Sequence, residues 1–171
     1  MTSMNLLSHA FLDEKGFSYT KLSFPSETEK GAANVAYALG CAPDQMVKTL
    51  IFETKTGEHV LVMLAASKNA ISGHLKKAIG SRDIKLADPD TVKQVTGYEI
   101  GSIPPFHWQP YGFRAFVDAA LTHEEVLGVG AGVWGQEIMI SPQNLVKASS
   151  ATCLLYTSPS PRDATLSPMA A

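Results

Sequence analysis

A lysine stands inside an otherwise apolar run, Met46-Val47-Lys48-Thr49-Leu50-Ile51-Phe52, whose other residues suit a buried strand. Such an ammonium either reaches water along its aliphatic stem or faces a cavity in which an anionic partner restores its charge. By burial preference alone, the strand-end lysine with its head in water is the commoner case. Three further features have the chemistry to share a cavity with Lys48. These are the glycine- and proline-rich segment around Gly101-Ser102-Ile103-Pro104-Pro105, the glycine-rich segment from Gly128 to Gly135, and the acid Glu137 at the head of an apolar run. Prolines fix φ and glycines permit unusual φ/ψ, so the first of these segments can hold backbone N–H groups in one orientation.

Covalent catalysis has less support. Ser102, Thr49 and Cys41 are the nucleophile candidates and His59, His74, His107 and His123 the candidate bases. No G-x-S-x-G elbow or Cys/His signature organises them. The second glycine segment is followed by neither Lys-Ser/Thr nor a helix, which sets aside a Walker loop and a dinucleotide fingerprint. On turn chemistry alone it reads as a hairpin-like connection. Lys68, His74, Lys76, Lys77, Arg82 and Lys85 could meet phosphates, although such runs are more often a solvated helix face. His107-Trp108 fits an aromatic wall or a satellite of the core.

These residues need a scaffold, and the chain has one to offer. Its 171 residues with 45% hydrophobic content suit one compact domain with a sizeable core. A net charge of -2 gives no global attraction to nucleic acid, so any such contact needs a local basic patch. Two distant cysteines without metal-ligand spacing support neither a disulfide framework nor a zinc site and fit a reducing cytoplasm. No stretch reaches the apolar length of a membrane span, and residues 1–12 show no basic region ahead of a long apolar core, so the chain is expected to be soluble and not exported.

Along the chain, Ser8 could cap a first helix that Gly16 stops, with Leu6, Leu7, Ala10 and Phe11 on one face. A strand over 17–24 ends at Pro25, and Ser26, Glu27, Thr28 and Glu29 supply caps and first-turn acids for a helix over 30–39 closed by Gly40. The lysine-bearing strand turns at Thr56-Gly57-Glu58 into a second buried strand over 59–66. A helix over 67–80, a short strand over 84–87 and a helix capped by Asp88 with Pro89 in its first turn follow. Strands over 113–121 and 136–140 and a helix opened by Ser141-Pro142 complete the pattern. Beyond Ala151 the Ser/Pro-rich residues 152–171 are expected to be disordered. The run from Cys153 to Asp163 resembles translated sequencing-adapter read-through, so the native chain is expected to end near Ala151, giving one domain over 1–151.

Four motifs in order carry a resemblance: A-x-A-L-G-C-A-P-D-Q-M-V-K-T-L-I-F at 36–52, K-L-A-D-P-D-T-V at 85–92, T-G-Y-E-I-G-S-I-P-P-F at 96–106 and G-x-G-x-x-G-Q-E-I at 130–138. Together they resemble the YbaK/prolyl-tRNA synthetase-associated editing domain over nearly all of residues 6–151. The resemblance implies a single α/β domain with a mixed, curved sheet flanked by helices. It also implies hydrolysis of the ester of wrongly charged aminoacyl-tRNA, typically on proline tRNA. The family lysine falls on Lys48, followed by Thr49 as in the branch resembling the Cys-tRNA(Pro) deacylase. The glycine loop falls on Gly101, and the acid of the last strand on Glu137, where that branch has aspartate. The chain departs from the branch where a Ser-Gly-Gly run becomes Gly130-Ala131-Gly132 and a tyrosine becomes Phe24. Loss of two hydroxyls leaves the edited amino acid unassigned.

The expectation is therefore that Lys48 and Gly101 carry the chemistry, Lys48 as a positioning cation and the Gly101 loop as the orienter of the ester. Thr49, Ser102, Ile103, Pro104, Gly130, Gly132 and Glu137 are expected to contact substrate. Phe24, Tyr37 and Met46 are expected to set pocket size. Neither cofactor nor metal is called for. The expected partners are the acceptor end of mischarged tRNA, and prolyl-tRNA synthetase or an elongation factor; DNA and membranes are not. An accessory module that binds tRNA or a synthetase without cleaving remains the alternative.

Overall fold

A computed structural model describes residues 5–68 and 71–154. Five α-helices and eight strands alternate along them: α1 (Leu7–Lys15), β1 (Thr20–Ser23), α2 (Ala32–Leu39), β2 (Val47–Glu53), β3 (His59–Ala65), α3 (Gly73–Ile79), β4 (Lys85–Leu86), α4 (Pro89–Thr96), β5 (Ala115–Asp118), β6 (Leu127–Gly130), β7 (Gln136–Ile140), α5 (Pro142–Ser149) and β8 (Thr152–Leu154).

The strands form two sheets. One has the order β4-β2-β3-β5-β8, antiparallel around β2 and parallel from β3 to β8; the other is the antiparallel β1-β7-β6. A single parallel bridge between Met46 and Gly128 joins them. Beyond that bridge no ladder joins β2 to β6 among the described residues, which leaves the first half of the β2 edge open. This is the α/β domain with a mixed sheet flanked by helices that the motifs implied. Its main core lies between the β1-β7-β6 sheet and one face of the larger sheet, with Val47, Ile51, Met63, Val129, Ile138, Phe106 and Leu145 as members. A second cluster, Val60, Val62, Leu64, Leu75, Ile79 and Phe116, holds α3 on the opposite face.

Local chemistry explains the element ends. Ser72, Asp88 and Ser141 accept from the N–H groups of Leu75, Thr91 and Asn144 and so cap α3, α4 and α5. Several expectations are corrected. Ser8 does not cap α1: Leu6 is the N-cap, and Ser8 is buried and donates to the Ala131 carbonyl at 2.6 Å, tying the helix to the glycine segment. None of residues 26–29 caps α2, whose N-cap is Gly31 with no side-chain bond. Gly128 and Gly130 belong to strand β6 rather than to a loop. Disorder does not begin at Thr152, because residues 152–154 pair in parallel with β5, whose edge would otherwise present unpaired N–H and C=O groups. The rest of the segment expected to be disordered, 155–171, lies outside the described residues.

Candidate functional site

The gap between the two sheets holds a cavity of about 480 Å³. One wall is the β2 edge, Val47, Lys48, Thr49 and Leu50. The facing wall is the β6–β7 hairpin, through Gly130 and Glu137, and the loop through Gly101 and Ile103. The N-terminal ends of α2 (Lys30, Gly31, Ala32, Val35) and α4 (Pro89) complete it, with Glu99 and Ile100.

The β2 edge is chemically open at this place. Its ladder to β4 covers only Phe52 and Glu53, and the Ala87 N–H reaches the Ile51 carbonyl at 2.9 Å. Backbone direction alternates along a strand, so Val47 and Thr49 turn their N–H and C=O toward the same side as Ile51, into the cavity. Side chains alternate too: Thr49 lies on the face of Val47 and Ile51, and Lys48 on the face of Leu50 and Phe52. Both reach the cavity because it wraps the free edge. The Lys48 Nζ donates to the backbone carbonyl of Lys68. The Thr49 Oγ1 is buried and has no hydrogen-bond partner among the described residues.

Glu137 is 7% exposed, and burial pushes its carboxyl well above the usual carboxylate range. No cation pairs with it among the described residues. The Lys30 Nζ lies 4.2 Å from the centre of the Trp134 ring, and Glu99 pairs with Lys93 at 3.0 Å. The uncapped N-terminus of α2 adds partial positive charge.

The loop at Gly101 is a turn in which the Ser102 N–H closes on the Glu99 carbonyl at 3.1 Å with Gly101 at φ +91. These values suit a type II turn, whose third position needs glycine. The Ser102 N–H is thus engaged, whereas no backbone hydrogen bond of the Gly101 N–H occurs among the described residues. Gly130 contributes through what it lacks. A Cβ there would sit 2.9 Å from the Ser102 carbonyl carbon and 3.1 Å from the Ile103 oxygen, so its bare backbone lets the loop dock.

Of the residues expected to form the site, Lys48, Thr49, Gly101, Ile103, Gly130 and Glu137 meet around this cavity. Others do not line it. Tyr37 is 88% exposed, one turn beyond the end of α2 that opens on the cavity. Phe24 and Met46 are buried in a cluster with Val35 and Ala36, Phe24 edge-on to Trp134 at 4.9 Å; they back the wall that Val35 presents. Ser102 and Pro104 are buried in the loop's packing, and Gly132 lies against Tyr98, where a Cβ would come within 2.7 Å of the ring. Lys30, Gly31, Val35, Pro89, Glu99 and Ile100 were not anticipated. Gly31, N-terminal to a run of small residues, was the available signal for a backbone facing a ligand.

Among the described residues no histidine or cysteine lines the cavity, and Thr49 carries the one side-chain hydroxyl. His107 instead bonds Tyr98 through Nε2 at 2.5 Å, and Trp108 donates to the Pro104 carbonyl at 2.6 Å beside the core. Among the described residues no group of three or more His, Cys, Asp or Glu could hold a metal ion, and no helix is long and apolar enough to cross a membrane.

Comparison with known proteins adds to this geometry. Residues 26–148 match the family model of the aminoacyl-tRNA editing domain. Over 74 residues the chain is 38% identical to the multifunctional Ser/Thr-tRNA deacylase ProXp-y of Escherichia coli K12, covering 42% of this chain and 44% of that protein. Over 92 residues it is 32% identical to the proline–tRNA ligase of Pelobacter propionicus, covering 54% of this chain and 16% of the ligase. The matches thus span less than half the length of either relative. A solved structure described as a candidate trans-editing enzyme for prolyl tRNA synthetase superposes with a TM-score of 0.76 at 22% identity, over 90% of this chain and 97% of that one.

Proposed function

The chain belongs to the aminoacyl-tRNA editing domain family, and from that premise we propose that it is a trans-editing deacylase. It hydrolyses the ester of mischarged tRNA, with proline tRNA carrying a small aminoacyl group as substrate. The observation that carries this is the cavity itself, where Lys48, the Thr49 hydroxyl and Gly101 meet a buried Glu137, and where among the described residues no histidine or cysteine lines the wall and no partner satisfies that hydroxyl.

Ester hydrolysis places negative charge on the carbonyl oxygen as water adds to the carbonyl carbon. The ester C–O bond then breaks, and the ribose oxygen leaves with a proton that comes from the water. A preorganised donor at the developing oxyanion contributes about 3–4 kcal/mol. The Gly101 N–H and Lys48 are suited to that role, and the α2 N-terminus with Lys30 suits the phosphate of the terminal nucleotide. Water, rather than a protein nucleophile, attacks. The free edge of β2 and the Thr49 hydroxyl offer hydrogen bonds to the aminoacyl group and the ribose.

The site of action is cytoplasmic, where translation supplies the substrate, and prolyl-tRNA synthetase or an elongation factor is the partner that delivers it. A panel of proline tRNA charged with alanine, cysteine, serine or threonine tests the function. Release of free amino acid with multiple turnovers on at least one member is expected. Binding of all four at one equivalent without release would instead leave a non-catalytic binding module.

A further inference from the structure

Two adjoining grooves of about 690 and 310 Å³ lie away from the cavity and share Gly80, Ser81 and Arg82. Lys76 and Lys77 line the first and Lys55 the second. Acids are present but largely engaged. Glu58 is held by Arg114 through two bonds of 2.8 Å, and Asp83 stands 4.0 Å from Lys55. Among the described residues no carboxylate lies in ion-pair range of Lys76, Lys77 or Arg82. Two of these cations complement the C-terminal dipole of α3, but Arg82 lies beyond the helix and has no such role. In a chain of net charge -2, this concentration of unpaired positive charge is a local exception.

Its placement relative to the cavity gives it meaning. Strand β2 begins at the cavity with Val47 and Lys48 and ends at Glu53, two residues before Lys55. The five steps from Lys48 to Glu53 advance about 17 Å at ~3.3 Å per residue. Helix α3 packs through Leu75 and Ile79 beside Leu50 and Phe52, on the face of β2 that also bears Lys48. The basic grooves and the Lys48 side chain therefore lie on one side of the sheet, a strand's length apart. One strand of a nucleic-acid duplex carries a phosphate about every 3.4 Å, so that distance corresponds to a few nucleotides of stem.

We propose that Lys55, Lys76, Lys77 and Arg82 bind the phosphate backbone of the RNA stem whose 3′ end enters the cavity. This rests on the deacylase function above, and the surface acts as a sequence-independent clamp that supplies affinity while the cavity supplies chemistry. Backbone contacts of this kind fix register without reading bases.

The test uses the full chain and a fluorescent acceptor-stem RNA hairpin with a single-stranded 3′ end, with affinity measured by anisotropy from low to moderate salt. Each phosphate contact contributes about 0.7–0.9 to the slope of log K against log salt. K76Q/K77Q/R82Q should lower that slope by about 2 to 3, whereas K15Q/K147Q, on another surface, should leave it unchanged. R82Q alone, at an exposed loop residue, should lower it by about 0.7–0.9 and serves if the triple variant fails to fold. With aminoacylated hairpin the triple variant should raise KM by about tenfold, and it should match wild type on an aminoacyl-adenosine ester that has no stem. An unchanged slope in both basic-groove variants, an equal fall in the control variant, or no RNA binding by wild type would overturn the proposal. A slope that falls as expected without hydrolysis of any ester would retain the surface and remove the deacylase function; hydrolysis with an unchanged slope would do the reverse.

Discussion

Gly130 and Glu137 stand directly opposite each other across the β6–β7 ladder, so the missing Cβ of one and the carboxyl-bearing stem of the other point to the same face. On that face the backbone of Ser102 and Ile103 fills the space a Gly130 Cβ would occupy. One glycine therefore sets how closely the loop carrying Gly101 approaches the buried acid. Gly130→Ala should push the loop outward, cost about 1–3 kcal/mol of stability in a denaturant melt, and lower deacylation about tenfold or more through misplacement of Gly101. Wild-type values in both measurements would show that the loop does not depend on this contact.

Burial of Glu137 makes a pH dependence. Its folded-state pKa is raised above the ordinary 4.5, so the folded protein holds the proton more tightly than the unfolded chain. The associated stability is fully present below about 4.5 and is lost as pH rises through the folded value. Glu137→Gln, which keeps the shape and cannot ionise, should melt at a temperature that gains on wild type as pH is raised above that range. A difference in Tm that stays constant as the pH is raised above about 4.5 would mean that the carboxyl does not feel its burial.

Thr49 separates stability from function. Its Oγ1 is buried without a partner among the described residues, and an unsatisfied buried hydroxyl costs about 1–3 kcal/mol. Thr49→Val removes the hydroxyl at nearly constant shape, so the ligand-free protein should be as stable as wild type or more stable by about 1 kcal/mol. Deacylation should nonetheless fall about tenfold, the worth of one hydrogen bond to the substrate. Loss of stability together with full activity would place the hydroxyl in the fold and not in the site.

What the sequence discloses about such a site depends on the kind of signal each residue leaves. Lys48 is visible because an ammonium interrupts a β-pattern, and the helices over α4 and α5 are visible because Asp88 and Ser141 announce their caps. Gly101 and Glu137 are weak alone; their order beside Lys48, read as a family resemblance, assembled them. Tyr37 fits the expectation of a pocket wall by residue type, yet the period of α2 turns it outward while Val35 turns inward. Lys30, Pro89 and Glu99 join the cavity only because α2, α4 and the turn before Gly101 converge in space. No local pattern encodes that meeting. The parallel pairing of Thr152–Leu154 with β5 was equally hidden, since composition there argued for disorder.

Lys48 should matter to catalysis far more than to folding. Its Nζ bonds the Lys68 backbone carbonyl, and the residue is only half-buried. Lys48→Ala should lower kcat/KM for mischarged tRNA on the order of 100-fold to 1,000-fold, the cost of one lost oxyanion donor, with the melting midpoint nearly unchanged. Lys48→Arg keeps the charge but carries it on a planar fork, so it should restore binding better than turnover. Wild-type deacylation by Lys48→Ala across the whole panel would remove Lys48 from the mechanism.

Selection of the aminoacyl group should follow Val35 rather than Tyr37. Val35 is buried, lines the cavity and is backed by Phe24 and Met46, so Val35→Ala enlarges the pocket by two methyl groups' worth of space. One methylene in an apolar pocket discriminates by about 1–3 kcal/mol, which predicts a shift of kcat/KM toward the larger members of a serine, threonine and valine series. Tyr37→Ala removes a ring that is 88% exposed and should leave the ranking unaltered. Measured side by side on the same charged tRNAs, a shift with Tyr37→Ala and none with Val35→Ala would place the selective wall on the outer side of α2. The opposite pattern assigns it to the helix face over the β2 edge, where Thr49 and the open backbone of Val47 also meet the ligand.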